Sequence, residues 1–354
     1  MGHLRRSARK RLLDRAAGLL VAVGAVLPGV AGGQVSSPTT VYRLTEASSY
    51  QEGCFAPCLC PMTVQSPVLG TFSLRLTGSD GGFDQYAVED VHWKVSDRDP
   101  ELRVTGSGIY TVGSADPTAL PKQRLELDLQ LGESPVQHFD SGWVIGPSLP
   151  HIQITVSMNG MYCYDRVFVV DADPVPESEI QPYALVEGST FQRGCFAPCD
   201  CAIGEEQPLA GTFSLLPLSD NGLFAEHGMV DVRWKVQGSA YSTPPDAEIT
   251  GAGSYSIGGE FAVQQRMEAE LQVADELPAP FDSGLVVGEG GFPAKIDVEI
   301  SRNGKVCFDT VMHVVAQAQP IPIPEPRATL QLLAGGVALL ATTALRSRRI
   351  GLSS

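Results

Sequence analysis

Residues 42–60 read YRLTEASSYQEGCFAPCLC and residues 183–201 read YALVEGSTFQRGCFAPCDC, so one pattern returns after 141 residues without a gap. The register holds through Asp90-Val91-His92-Trp93-Lys94-Val95 against Asp231-Val232-Arg233-Trp234-Lys235-Val236. Small insertions move it to 142 at Phe139-Asp140-Ser141-Gly142 against Phe281-Asp282-Ser283-Gly284, and to 144 at Cys163 against Cys307. Such a duplication asks one folding solution to work twice, and about 130 residues suffice for a single hydrophobic core. Two copies are too few for a stacked solenoid. The expected organisation is a tandem: a first copy over 42–170, a proline- and acid-rich linker over 171–182, and a second copy over 183–315.

Within each copy the apolar period is two. Leu125, Leu127, Leu129 and Leu131 alternate with Glu126, Asp128 and Gln130, and Met267, Ala269, Leu271 and Val273 repeat the pattern. A period of two buries one face of a strand and wets the other. Ile152, Ile154 and Val156 lead into Asn159-Gly160, as Ile296, Val298 and Ile300 lead into Asn303-Gly304. Asn-Gly between alternating runs predicts a hairpin with a type I′ turn, which needs positive φ at both central residues. The expected class is all-β: two tandem antiparallel β-sandwich domains of about eight strands each, with Trp93 and Trp234 in their cores.

The eight cysteines follow C-x-x-x-C-x-C plus one partner about a hundred residues on: Cys54, Cys58, Cys60 and Cys163, then Cys195, Cys199, Cys201 and Cys307. Four per copy argues for two disulfides in each if the chain is exported. A Cys58–Cys60 bridge would close too tight a ring. Cys163 is therefore expected to pair with Cys58 or Cys60, in preference to Cys54, and Cys307 likewise with its own triplet. A four-thiolate zinc or copper site is the competing reading, and it would require reduced thiols.

Catalytic constellations are hard to find. His92 aligns with Arg233, His138 with Pro280 and His227 with Tyr86, so no histidine serves both copies. The shared acids Glu46/Glu187, Asp90/Asp231, Asp140/Asp282 and Asp165/Asp309 read as turn and surface residues. Phosphate-binding and zinc-protease motifs are missing. The expectation is a non-enzyme without cofactor. One acidic glycine-rich loop, with Asp80 and Asp84 and its counterpart at Asp220, offers weak oxygen ligands for calcium.

Both ends of the chain read as addresses. A basic start (Arg5, Arg6, Arg9, Lys10, Arg11, Arg15), an apolar stretch over 16–30 and small residues at 31–33 predict a signal peptide over 1–33. At the other end, alternating prolines make 316–326 a stiff stalk. An uncharged run over 328–345 then precedes Arg346, Arg348 and Arg349. Eighteen residues of helix span about 27 Å, enough for a bilayer core, with the arginines on the cytoplasmic side. The whole chain carries 25 basic and 40 acidic residues, but ten of the basic ones lie in these two ends. What remains is strongly acidic, which favours solubility and repels nucleic acid.

The order Pro324-Glu325-Pro326, apolar span, arginine cluster resembles the PEP-CTERM sorting signal, with the transmembrane sorting segment over 327–349. The resemblance implies recognition by an exosortase-type processing enzyme and transient membrane anchoring through the C-terminal helix. Delivery to the cell surface or extracellular matrix would follow, with extracellular polysaccharide or other surface proteins as partners. A plain stop-transfer anchor would have the same topology without processing. The function expected is structural or adhesive, with a glycan- or calcium-binding module as the alternative and an extracellular hydrolase behind it.

Overall fold

A computed structural model describes residues 39–97, 101–116, 118–146, 149–238 and 246–320. The expected signal peptide, sorting box and transmembrane segment lie outside them. Among the described residues no helix is long and apolar enough to cross a membrane.

The first sheet comprises β1 (Thr39–Leu44), β2 (Ser49–Cys54), β3 (Ser66–Asp80), β4 (Phe83–Val95), β5 (Leu102–Gly113), β6 (Lys122–Leu131), β7 (Gln137–Asp140), β8 (Val144–Ile145), β9 (Ile152–Ser157) and β10 (Tyr164–Pro174). The second repeats it with β11 (Gln181–Leu185), β12 (Thr190–Cys195), β13 (Gln207–Asp220), β14 (Phe224–Gln237), β15 (Asp246–Gly258), β16 (Gln264–Val273), β17 (Ala279–Asp282), β18 (Val286–Val287), β19 (Ile296–Ser301) and β20 (Phe308–Ala318). Each is a ten-stranded antiparallel sheet, against the eight strands expected. Strands as short as β8 and β18 carry no alternation to read.

The ladder runs from β3 through β4, β5, β6, β7 and β9 to β10. β1 and β2 then both pair with β10 and with β3, so each copy is one continuous ladder that closes on itself. Closure is thinnest between β7 and β9, which share one residue pair, Asp140 with Ser157. Closing the ladder removes the unpaired edges through which sheets aggregate.

Alternation places the core as the sequence implies. The four leucines of β6 turn inward, and Trp93 and Trp234 are 2 % and 1 % exposed. Trp93 meets Phe72 edge-on and lies against Phe168. A polar pair is buried identically in both copies. The Tyr110 hydroxyl donates to Gln123 Oε1 (2.8 Å), whose amide donates to the Gln153 carbonyl, and Tyr255, Gln265 and Asp297 repeat this.

The turns at Asn159-Gly160 and Asn303-Gly304 form one residue further on, with the Tyr162 N–H donating to the Asn159 carbonyl and the Val306 N–H to the Asn303 carbonyl (each 3.2 Å). Positive φ falls on Gly160, Met161 and Cys163, and again on Gly304, Lys305 and Cys307. The loop is longer because it must aim its cysteine at the partner bridge. A buried carboxylate holds it: Asp165 Oδ1 accepts the N–H groups of Asn159 (2.9 Å) and Arg166 (2.7 Å), and Oδ2 accepts that of Met161 (2.6 Å).

The stretch 171–182 is not a free linker. It holds the end of β10, a 3₁₀ turn over Glu177–Glu179 and the start of β11. Val175 and Ile180 pack with Val41 of the first copy and Leu216, Leu218 and Val230 of the second. Arg43 Nη1 closes the seam on Glu179 (2.8 Å) and on the Pro217 carbonyl (3.0 Å).

Candidate functional site

Two places gather the residues singled out by sequence: the disulfide-bonded tip of each copy and the cleft where the copies meet. At the tips every cysteine is paired. Cys58 joins Cys163 and Cys54 joins Cys60, while Cys199 joins Cys307 and Cys195 joins Cys201. Of the alternatives left open, the partner of the isolated cysteine is thus the middle one of its triplet. The thiolate metal reading falls, because none of these sulfurs is free to ligate.

Sharing a frame, the two tips differ in surface. The first exposes Leu59, Val64, Met158, Met161 and Tyr162. At the same positions the second exposes Asp200, Glu205, Arg302, Lys305 and Val306. Since the fold tolerates charge at four of these five places, the apolar surface of the first tip is not demanded by folding. Large exposed apolar patches mark contact surfaces.

The acidic loop read as a calcium candidate is a tight turn. Gly81 and Gly82 both take positive φ between the paired Asp80 and Phe83, the geometry expected of a two-residue hairpin. Asp84 accepts from the Ser79 hydroxyl (2.5 Å), and Asp220 accepts from the Gly222 N–H (2.8 Å). Both of these carboxylates accept within their own turns. Among the described residues no three His, Cys, Asp or Glu side chains are grouped to hold a metal ion. Asp140 and Asp282 are structural: they hold Arg124 and Arg266 and accept from the N–H of Gly142 and Gly284.

The cleft of about 580 Å³ at the junction was not foreseen. Its walls use the same ladder positions from both copies: Thr105 and Thr250, Asp128 and Glu270, Gln130 and Gln272. Asp90 and Asp231 also correspond, each sitting with positive φ in a β-bulge of β4 or β14. Equivalent ladder positions of the two copies therefore line one cleft, although the contacts beside it join non-equivalent positions. Lys94 bridges the junction to Glu226 (2.6 Å), and Arg103 pairs with Glu268.

Electrostatics in the cleft are uneven. Burial, with Glu89 and Asp231 nearby, raises the Asp90 carboxyl above its usual range, and burial raises Glu270. Burial pushes His92 down to about 4, assisted by Arg103 and Lys94. Its Nδ1 is buried without a hydrogen-bond partner. The cleft thus presents a neutral imidazole and carboxyl groups that hold their protons more tightly than usual. Such a lining can hydrogen-bond a polar ligand, but His92 has no counterpart in the second copy, where Arg233 stands.

A signal for this junction was present in the sequence. Arg75 and Glu89 form a surface ion pair in the first copy, and the same positions in the second are Leu216 and Val230, both buried beneath the linker. An ion pair exchanged for two aliphatic side chains between copies of one fold marks a face that has been covered.

No protein-family model matches this chain, and neither a curated protein nor a solved structure matches it.

Proposed function

We propose that this chain is an exported, non-catalytic protein of structural or adhesive type. It consists of two β-sandwich domains delivered to the cell surface or extracellular matrix by a PEP-CTERM-like tail. The observation that carries the reading is the complete pairing of eight cysteines, with one connectivity repeated in both copies. Such pairing suits an oxidising compartment and not the cytoplasm. The acidic charge between the two ends and the apolar first tip support a soluble domain pair with a contact surface. In this reading an exosortase-type enzyme processes the chain after its C-terminal helix has held it in the membrane.

The test is a non-reducing peptide map and intact mass of the surface form. Four bridges and loss of Arg346, Arg348 and Arg349 are expected. A surface form that keeps the arginines is a plain anchored protein, and free thiols would remove the export argument.

A second reading, a ligand-binding module for glycan, is favoured by the cleft, because junctions between domains are common sites for small ligands. Binding on a glycan array that is lost in both Gln130→Ala and Gln272→Ala would support it. Binding unchanged by both would place the ligand elsewhere.

A further inference from the structure

In each copy the chain enters and leaves at the same end of the sheet, and the long-range disulfide lies at the other. Tyr183 pairs with Ala318 and Leu185 with Ala316, while the Gln319 N–H donates to the Pro182 carbonyl (2.8 Å). Further along the same seam, Thr190–Cys195 pairs with Phe308–His313, and just beyond it Cys199 is bonded to Cys307. The first copy repeats the layout: Tyr42 opposite Pro174, Leu44 opposite Ala172, β2 along β10, then Cys58 bonded to Cys163.

Load applied to a chain gripped beyond Ala318 and on the first copy must cross the second copy from Ala318 to Gln181. Those two points are neighbours, so the pull opens the seam one rung at a time rather than shearing all rungs together. Rungs loaded singly give way easily, and the seam will peel until the load reaches the Cys199–Cys307 bond. Behind that bond, β13 to β19 and their core residues lie inside a covalently closed loop with a sequence separation of 108. The Cys195–Cys201 bridge fastens the turn on both sides of Cys199, so two covalent routes meet the load there.

We propose that each copy is a tension-limiting link, in which the terminal strands peel as a short extensible seam and the long-range disulfide stops further extension. The role of such a link rests on the surface-delivery reading above; the mechanics do not. The residues free to extend in the second copy are those between Gln181 and Cys199 and between Cys307 and Ala318, about 30, or roughly 100 Å at ~3.5 Å each. Without the bond the whole copy would extend by roughly 480 Å. The first copy gives the same values within a residue or two.

The experiment is single-molecule extension of the full chain by handles fused to its two ends, with and without reductant. Two steps of roughly 100 Å are expected under oxidising conditions, lengthening nearly fivefold in reductant. Oxidised steps of the reduced length, or oxidised and reduced steps alike, would overturn the proposal. The paired substitution Cys199→Ser with Cys307→Ser should lengthen one step and leave the other short. If that variant does not fold, the first copy's short step in the same molecule and the reductant series on the natural chain still decide the matter. The surface-form mass of the preceding subsection tests the location, so failure of one reading is distinguishable from failure of the other.

Discussion

Asp165 offers the sharpest test of how the tip is built. Its side chain is fully buried, faces no cation, and accepts hydrogen bonds from the backbone N–H groups of Asn159, Met161 and Arg166. It also accepts from Met158, whose N–H has a second partner in the Arg166 carbonyl and so loses little if the carboxylate goes. A hydrogen bond to a charged group contributes about 1.5–3 kcal/mol net. Asp165→Ala strands three donors, two of them on the exposed hairpin where water can reach, so a loss of about 3–5 kcal/mol is expected. Asp165→Asn keeps one acceptor oxygen and turns an NH₂ toward the Met161 N–H, which places its cost between zero and that of alanine, at about 1.5–3 kcal/mol. Urea unfolding followed by tryptophan fluorescence reads both. Asp309 accepts from Asn303, Thr310 and Lys305 in the same manner and supplies a matched series in the second copy. Equal losses for asparagine and alanine, or a loss below about 1 kcal/mol for alanine, would refute the idea that a carboxylate clasp sets this turn.

Further outcomes follow from other parts of the molecule. Removing the Cys58–Cys163 bridge by double serine substitution should cost about 4.7 kcal/mol and removing Cys54–Cys60 about 2, since loop entropy grows with the chain enclosed. Equal costs in denaturant midpoints would contradict that ordering. His92 is neutral in the fold at about 4 while an unfolded imidazole titrates near 6.5, so its contribution is present above pH 6.5 and lost as pH falls toward 4. The ceiling of that loss is about 3 kcal/mol. Asp90 and Glu270 act with the opposite sign, favouring the fold while protonated and disfavouring it as pH rises through their raised values. His92→Gln should therefore flatten stability between pH 6.5 and 4; an unchanged slope would show that His92 is not the titrating group. Arg103→Met leaves the buried Glu268 with Arg266 alone and should cost about 1–3 kcal/mol while loosening the junction. A small-angle scattering profile identical to that of the natural chain would show that this pair does not hold the copies together.

What could be read beforehand was what depends on residues near in sequence. The period-two leucines of β6 face the core because a strand has only two sides, and the tryptophans follow from the same alternation. The hairpins at Asn159-Gly160 and Asn303-Gly304 were legible as reversals, but their turns centre one residue on, at Gly160-Met161 and Gly304-Lys305, in loops that carry Cys163 and Cys307 to a partner a hundred residues away. The turns at Asp84 and Asp220 were legible for a local reason: carboxylates beside glycines accept hydrogen bonds within their own turns.

Residue pattern along the chain was enough for the duplication, the all-β class, the inward strand faces and the restriction of each isolated cysteine to a few partners. Only the folded chain settled which partner was taken, how the ladder closed through β1, β2 and β10, and that the two copies line one cleft between them. The physical reason is that side-chain alternation is a property of one strand. Closure, disulfide choice and docking depend on distances between segments that only the folded chain brings together.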